Sequence, residues 1–272
     1  MKSLINRLAV LLLISTVAIS TSANEISFFK YDGNDVEISK KGCGSHLVIF
    51  ESGFGTDLNV WNNITNQLNK NEYTTISYSR LGIGNSATPS QIYTTEQHAE
   101  VLSAIINSQK NITKTTLVGH SIGGLIAQTA VTNKPNLVDH LILVDSATWG
   151  QRAAFLELDK NRVLKDDKMM LKYMPEQLSS LYSTLMNELN ENADYVVNFN
   201  KTRVTAITSS KVSDQPFVLE ETPQGKKVWL KLHADLLNRA NKSHHIVLSD
   251  VGHNIHKDRP RLVIEQITAP KI

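Results

Sequence analysis

Six stretches of strand length punctuate this chain: His46–Phe50, Tyr73–Tyr78, Thr115–Val118, His140–Val144, Arg203–Ile207 and His245–Leu248. They are dominated by apolar and β-branched residues and lack the polar–apolar alternation of a half-solvated strand. Strands of that kind are buried on both faces, as in a parallel sheet covered by helices. Helical spacing fills the intervals, with Val60, Trp61, Ile64 and Leu68 on one face, then Val101, Leu102, Ile105 and Ile106, then Leu125, Ile126 and Thr129. Strand, helix, strand at this rhythm predicts βαβ units, and so an α/β fold with a mostly parallel, doubly wound sheet. Ile26–Lys30 and Val36–Ser39 flank the turn signal Asp32-Gly33-Asn34 and predict a leading hairpin. One interval breaks the rhythm. Ala153–Leu164, Met169–Tyr173 and Leu178–Asn190 look helical with no strand among them. About 50 residues is long for one crossover, so a cap of two to four helices is expected at about 148–200, over the open end of the sheet.

The first residues have a different character. Lys2 and Arg7 precede the apolar run Leu8–Ile19, and small residues Ser20–Ala23 follow. This is the layout of a secretory signal peptide, with cleavage expected after Ala23. The run is too short for a membrane anchor, which needs about 20 apolar residues. The expected organisation is therefore a signal at 1–23 and one domain at 24–272, periplasmic or secreted, with no stable membrane anchor once the signal is removed. Without Lys2 and Arg7 the chain carries 26 basic and 26 acidic residues. That balance argues against a general nucleic-acid binder. Cys43 is the sole cysteine, so no intramolecular disulfide can form. Oligomeric state is not readable from the sequence.

The chemistry concentrates in Thr115–Gly124, which contains Gly119-His120-Ser121-Ile122-Gly123. A strand runs into a sharp turn and a helix begins at once. A serine at such a corner is strained and projects into the open. Side chains at 119 and 123 would collide with the neighbouring strand and helix, hence the glycines. The N–H of Ile122, at the helix N-terminus, points to the region of the serine oxygen and suits an oxyanion.

With these residues the sequence resembles the α/β-hydrolase superfamily, in its serine-nucleophile, esterase- and lipase-like branch. Leu47–Gly55 is similar to the family's strand and oxyanion loop, with Ser52-Gly53 where most members have His-Gly. Tyr78–Ser86 is similar to Tyr-Asp-Arg-Pro-Gly-x-Gly-x-Ser, with Ser79 and Leu81 in place of Asp and Pro. The resemblance covers roughly 45–150 and 200–268 and leaves the cap outside. It implies that Phe54, following Gly53, gives the second oxyanion N–H.

A serine hydroxyl needs a base. The resemblance places it on a histidine beyond the last strand, and Gly252-His253, followed by Asp258-Arg259-Pro260, matches the family's ending. His253 is therefore the expected base. His120 sits inside the elbow as a structural residue, and His244, His245 and His256 are neighbours of no assigned role. The base needs a carboxylate to hold it. Asp145, ending the strand beside the nucleophile strand, is favoured. Asp214 is the alternative, at the site most family members use but further from its strand. Asp250 is a third, poorly aimed candidate. The order Ser, Asp, His suits the fold with either acid. Members that open epoxides or remove halides use an aspartate nucleophile, which Ser121 is not.

The expected activity is hydrolysis of a carboxylic ester, or an amide, through an acyl-enzyme on a small-molecule acyl substrate. No cofactor is expected. No metal is expected either, because a His-Glu-x-x-His pattern is absent. The alternatives are a lyase or acyltransferase using the same triad, or a silent hydrolase-fold binding protein. Met169, Met170, Tyr173, Met174 and Leu178 could line an acyl pocket, although residues at this spacing more often form cap core.

Overall fold

The computed structural model describes residues 25–269, so the expected signal at 1–23 lies outside the described residues. The strands are β1 (Glu25–Tyr31), β2 (Asn34–Lys41), β3 (His46–Glu51), β4 (Tyr73–Tyr78), β5 (Lys114–His120), β6 (His140–Val144), β7 (Arg203–Ser209) and β8 (Ser243–Leu248). They form one sheet in the order β1-β2-β4-β3-β5-β6-β7-β8. Strand β2 runs antiparallel to both its neighbours, and every pairing from β4 onward across the sheet is parallel. The leading hairpin closes through Asp32 and Gly33, both at positive φ (45° and 75°), as a two-residue turn with the twist of its strands requires.

Central strands β3, β4 and β6 are buried at every residue, which is why they carry no alternation. Helices α2 (Thr95–Asn107) and α3 (Ile122–Asn133) cover one face, with Leu102, Ile105, Leu125 and Ile126 packed on Leu47, Ile49 and Leu117. Helices α1 (Asn62–Thr65) and α8 (Pro260–Thr268) cover the other, where Ile64, Val263 and Ile267 meet Val48, Phe50 and Val144. Each fully buried Leu or Ile contributes about 1.5–3 kcal/mol. This two-faced core fixes the strands and thereby the positions of the loops at their C-terminal ends.

The interval after β6 holds two helices, α4 (Gln151–Tyr173), kinked at Asp159, and α5 (Glu176–Glu191). Only Phe155, Val163 and Asp166 of α4, and Leu189 of α5, are buried. Helix α6 (Pro223–Leu237) lies between β7 and β8 and was not foreseen. Its start is nevertheless written locally: Thr222 caps the helix by accepting the Gly225 N–H, and Pro223 opens its first turn. The short α7 (Ile255–Asp258) follows the loop after β8.

Candidate active site

The C-terminal ends of β3, β5, β6 and β7 converge on one point. At the end of β5 the chain enters α3 through Ser121, whose backbone is forced to φ 55°, ψ −127°. Such a conformation costs about 1–3 kcal/mol in a non-glycine residue. The corner is held by its own backbone: Ser121 N–H donates to Val144 O (3.2 Å), and Ser121 O accepts from Gly124 (2.9 Å) and Ala147 (2.9 Å). The serine hydroxyl is not used to cap α3. A Cβ on Gly119 would lie 2.7 Å from Gly124 Cα. One on Gly123 would lie 2.4 Å from both Glu51 O and Ser52 O, and one on Gly124 would strike Ser146 Oγ at 2.0 Å. The Gly-x-Ser-x-Gly-Gly spacing is thus dictated by the close approach of β3, β5 and β6.

At the end of β6 comes Asp145, also at positive φ (42°) and fully buried. Its backbone N–H donates to Ile207 O of β7 at 2.7 Å. Its carboxylate accepts three hydrogen bonds: Ser209 N–H and Trp229 Nε1–H on Oδ1, each at 2.8 Å, and His253 Nδ1 on Oδ2 at 2.8 Å. Burial alone would raise its pKa, but the hydrogen bond and charge of His253 outweigh that, and Asp145 is held below the ordinary carboxylate value. An ionised Asp145 fixes the tautomer of its partner. Nδ1 of His253 carries the proton, and Nε2 is left with a lone pair. Burial pulls the His253 pKa down, but the Asp145 hydrogen bond and charge, with a contribution from Glu220, lift it above the ordinary histidine value.

The remaining candidates take other positions. Asp214 lies on the wall of a cavity that also touches His253, but no hydrogen bond joins them among the described residues. Asp250 is exposed and pairs with Arg259. His120 is buried, donates from Nε2 to the His253 carbonyl (3.0 Å), and packs its ring 4.6 Å from that of His253. Burial, then the neighbouring His253 and His256, hold His120 neutral, which leaves it a structural spacer. His256 packs against Trp61 and His120 with its pKa lowered to about 4 by burial.

Loop 52–55 after β3 lies against the elbow, since a Cβ on Gly53 would sit 3.6 Å from Ser121 Cβ. Arg80 orients this loop. Its guanidinium donates to Ser52 O (2.5 Å) and Gly53 O (2.6 Å) and pairs with buried Glu51 (2.5 Å), which Tyr78 also contacts. With the Gly53 carbonyl turned to Arg80, the trans peptide turns the Phe54 N–H the opposite way. Burial raises the Glu51 pKa to about 7 against the pull of Arg80. Two departures from the family pattern are repaired in space. Ser52, replacing the usual histidine, donates to Asp57 O (3.2 Å) and accepts Trp61 Nε1–H (3.0 Å). Ser79, replacing the usual aspartate, donates to Glu37 Oε2 (2.8 Å), a carboxylate supplied by β2 instead.

Sequence reasoning missed two residues. Trp229 of α6 fixes the Asp145 carboxylate. Val228, Trp229, Leu232 and Leu236 at helical spacing after Thr222-Pro223 were the signal. Glu220 brings a second carboxylate toward the histidine: one ligand-type atom each from Asp145, Glu220 and His253 lie within 4.8 Å of one another. Glu220 is itself paired with Lys226 at 3.1 Å. Each group of this cluster already has an ionic or hydrogen-bonding partner. Of the apolar cap residues singled out, Tyr173 is exposed, while Leu178 packs over Gly55.

The family model described as "alpha/beta hydrolase fold" matches residues 46–218, running through the cap and ending before His253. The uncharacterized protein YqjL of Bacillus subtilis (strain 168) is 27% identical over 229 residues, covering 82% of this chain and 83% of its own. Two solved structures carry the same fold at low identity. The serine hydrolase involved in carbazole degradation (CarC) is 18% identical with a TM-score of 0.62, over 90% of this chain and 97% of that one. A Vigna radiata epoxide hydrolase mutant is 14% identical with a TM-score of 0.70, over 89% and 96%. The sheet order, the elbow and the family match agree: this chain belongs to the alpha/beta hydrolase fold family.

Proposed function

We propose that this protein is a serine hydrolase that cleaves carboxylic esters through an acyl-enzyme. The observation that carries the reading is the strained Ser121, its hydroxyl unspent on capping, next in the chain to His120, whose ring lies 4.6 Å from that of a His253 tied through Nδ1 to buried Asp145. In this reading His253 Nε2 takes the Ser121 proton as the oxygen attacks the acyl carbonyl. The N–H groups of Phe54 and Ile122 receive the oxyanion, and a preorganised donor of this kind is worth about 10²–10³ in kcat. His253 then returns the proton to the departing alcohol, and water repeats the sequence on the acyl-enzyme. Epoxide opening in this fold proceeds from an aspartate nucleophile, and serine stands at that corner here.

The test is hydrolysis of p-nitrophenyl acetate by the purified enzyme and by Ser121→Ala, alongside labelling by a serine-reactive fluorophosphonate. Turnover and labelling that both vanish in Ser121→Ala are expected. A folded wild type that neither turns over nor labels would sink the reading.

A further inference from the structure

The connection between β7 and α6 brings a charge pair up to the histidine. Glu220 stands in a short 3-10 turn, Leu219–Glu221, and Lys226 in the first turns of α6. The two segments are in backbone contact: a Cβ on Gly225 would lie 2.0 Å from Leu219 O and 2.8 Å from Glu220 Cα. Lys226 Nζ is 3.1 Å from Glu220 Oε1, and the two side chains are only 6% and 24% exposed. The ammonium also lies 6.0 Å from the centre of the Trp229 ring, whose Nε1–H donates to Asp145. The cap fixes the turn from its other side. Asp166 of α4 accepts the Leu219 N–H at 2.7 Å. Arg162, paired with Asp166 at 2.6 Å, donates to the carbonyls of Pro216 and Phe217, both at 3.2 Å.

Charge decides what this pair does. Polar atoms of Asp145, Glu220 and His253 lie within 4.8 Å of one another, a range at which an ionised neighbour acts strongly on an imidazole. Burial lifts the Glu220 pKa and the Lys226 ammonium pulls against it, so the pairing favours a charged carboxylate in this place. Two carboxylates and one ammonium then leave one negative charge unbalanced while His253 is neutral. The proton taken from Ser121 balances it. The other groups facing His253 contribute less. His120 and His256 are held neutral by burial. Lys211 and Asp214, on the cavity wall shared with Glu220 and Lys226, are exposed and screened by water, and Glu221 is engaged by the Phe217 N–H at 2.6 Å. From this arrangement we infer that Glu220 is a positioning residue of the active site, holding the His253 imidazolium jointly with Asp145 while Lys226 tempers its charge. The inference rests on the serine-hydrolase reading above. Glu220 acts through His253 and takes no proton from the substrate itself.

The experiment is the pH dependence of kcat/KM for p-nitrophenyl acetate in the wild type, Glu220→Gln, Lys226→Met and the double variant. Glu220→Gln leaves the ammonium unopposed, so the midpoint of the acid limb should fall by about one pH unit and the plateau of kcat/KM by about tenfold. Glu220→Asp should restore part of both. Lys226→Met keeps an aliphatic stem over Trp229 and should move the midpoint upward by about half a unit, with the double variant between the two. A group that served only the fold would lower activity without shifts of opposite sign. Thermal melting identifies a variant that fails to fold, and the other single variant then carries the test. An active, fluorophosphonate-labelled enzyme whose midpoint stays within about 0.2 unit in the folded variants, or moves the same way in both, overturns this assignment alone. Absence of ester turnover and of labelling in the wild type overturns the hydrolase reading and this assignment with it.

Discussion

At the scale of single residues the carboxylate is where the structure adds most to the sequence. Asp145 and Asp214 each follow a strand whose end faces His253, and local pattern ranks them only narrowly. What separates them is a hydrogen bond spanning 108 positions, together with two donors, Ser209 N–H and Trp229, that converge on Asp145. Ser121 was legible because its backbone strain is enforced by neighbouring glycines, which are local. Asp145→Asn should therefore lower kcat about 10⁴-fold, the scale seen when a triad aspartate loses its charge, while Asp214→Asn leaves the mechanism in place. Steady-state kinetics of both variants check this, and a large loss in Asp214→Asn with little in Asp145→Asn would reverse the assignment. The pH profile adds a sign. His253 must be neutral to act as base, and Asp145 raises its pKa, so kcat/KM should fall as pH drops through a midpoint above the usual histidine value. In Asp145→Asn that midpoint should move down.

Elements show why the strands could be read and some supports could not. The buried strands declare themselves because both faces demand apolar side chains. Arg80 gives no such signal: its work is to grip two carbonyls of a loop 27 and 28 residues earlier, a relation that exists only once β3 and β4 pair. The elbow's glycines are a direct consequence of strand packing. Gly123→Ala drives a Cβ into two backbone carbonyls of β3 and its loop. Overpacking costs about 1–3 kcal/mol, so the melting temperature should fall by roughly 5 °C, with kcat falling further as the oxyanion loop is displaced. Differential scanning calorimetry beside turnover checks both; an unchanged transition would mean that the loop yields freely. The cap helices are mostly exposed along α4 and α5, in contrast to β3 and β6. Hydrogen exchange should be faster in α4 and α5 than in those strands, and equal protection would make the cap part of the core.

Over the whole molecule, the strand order places every candidate catalytic group at one end of the sheet, where ligands of open α/β folds bind. Rhythm alone conveyed this architecture, because each βαβ unit is a local event repeated. Cavity shape was not legible, since the wall of the hollow beside His253 joins loops and a helix that lie far apart in the sequence. The placement of His253's carboxylate on β6 has a consequence for how such a chain can diversify. The segment Lys211–Gln215 after β7 is relieved of holding the histidine and instead walls that hollow. Changes in that exposed loop can then accumulate without touching the hydrogen bond between Asp145 and His253.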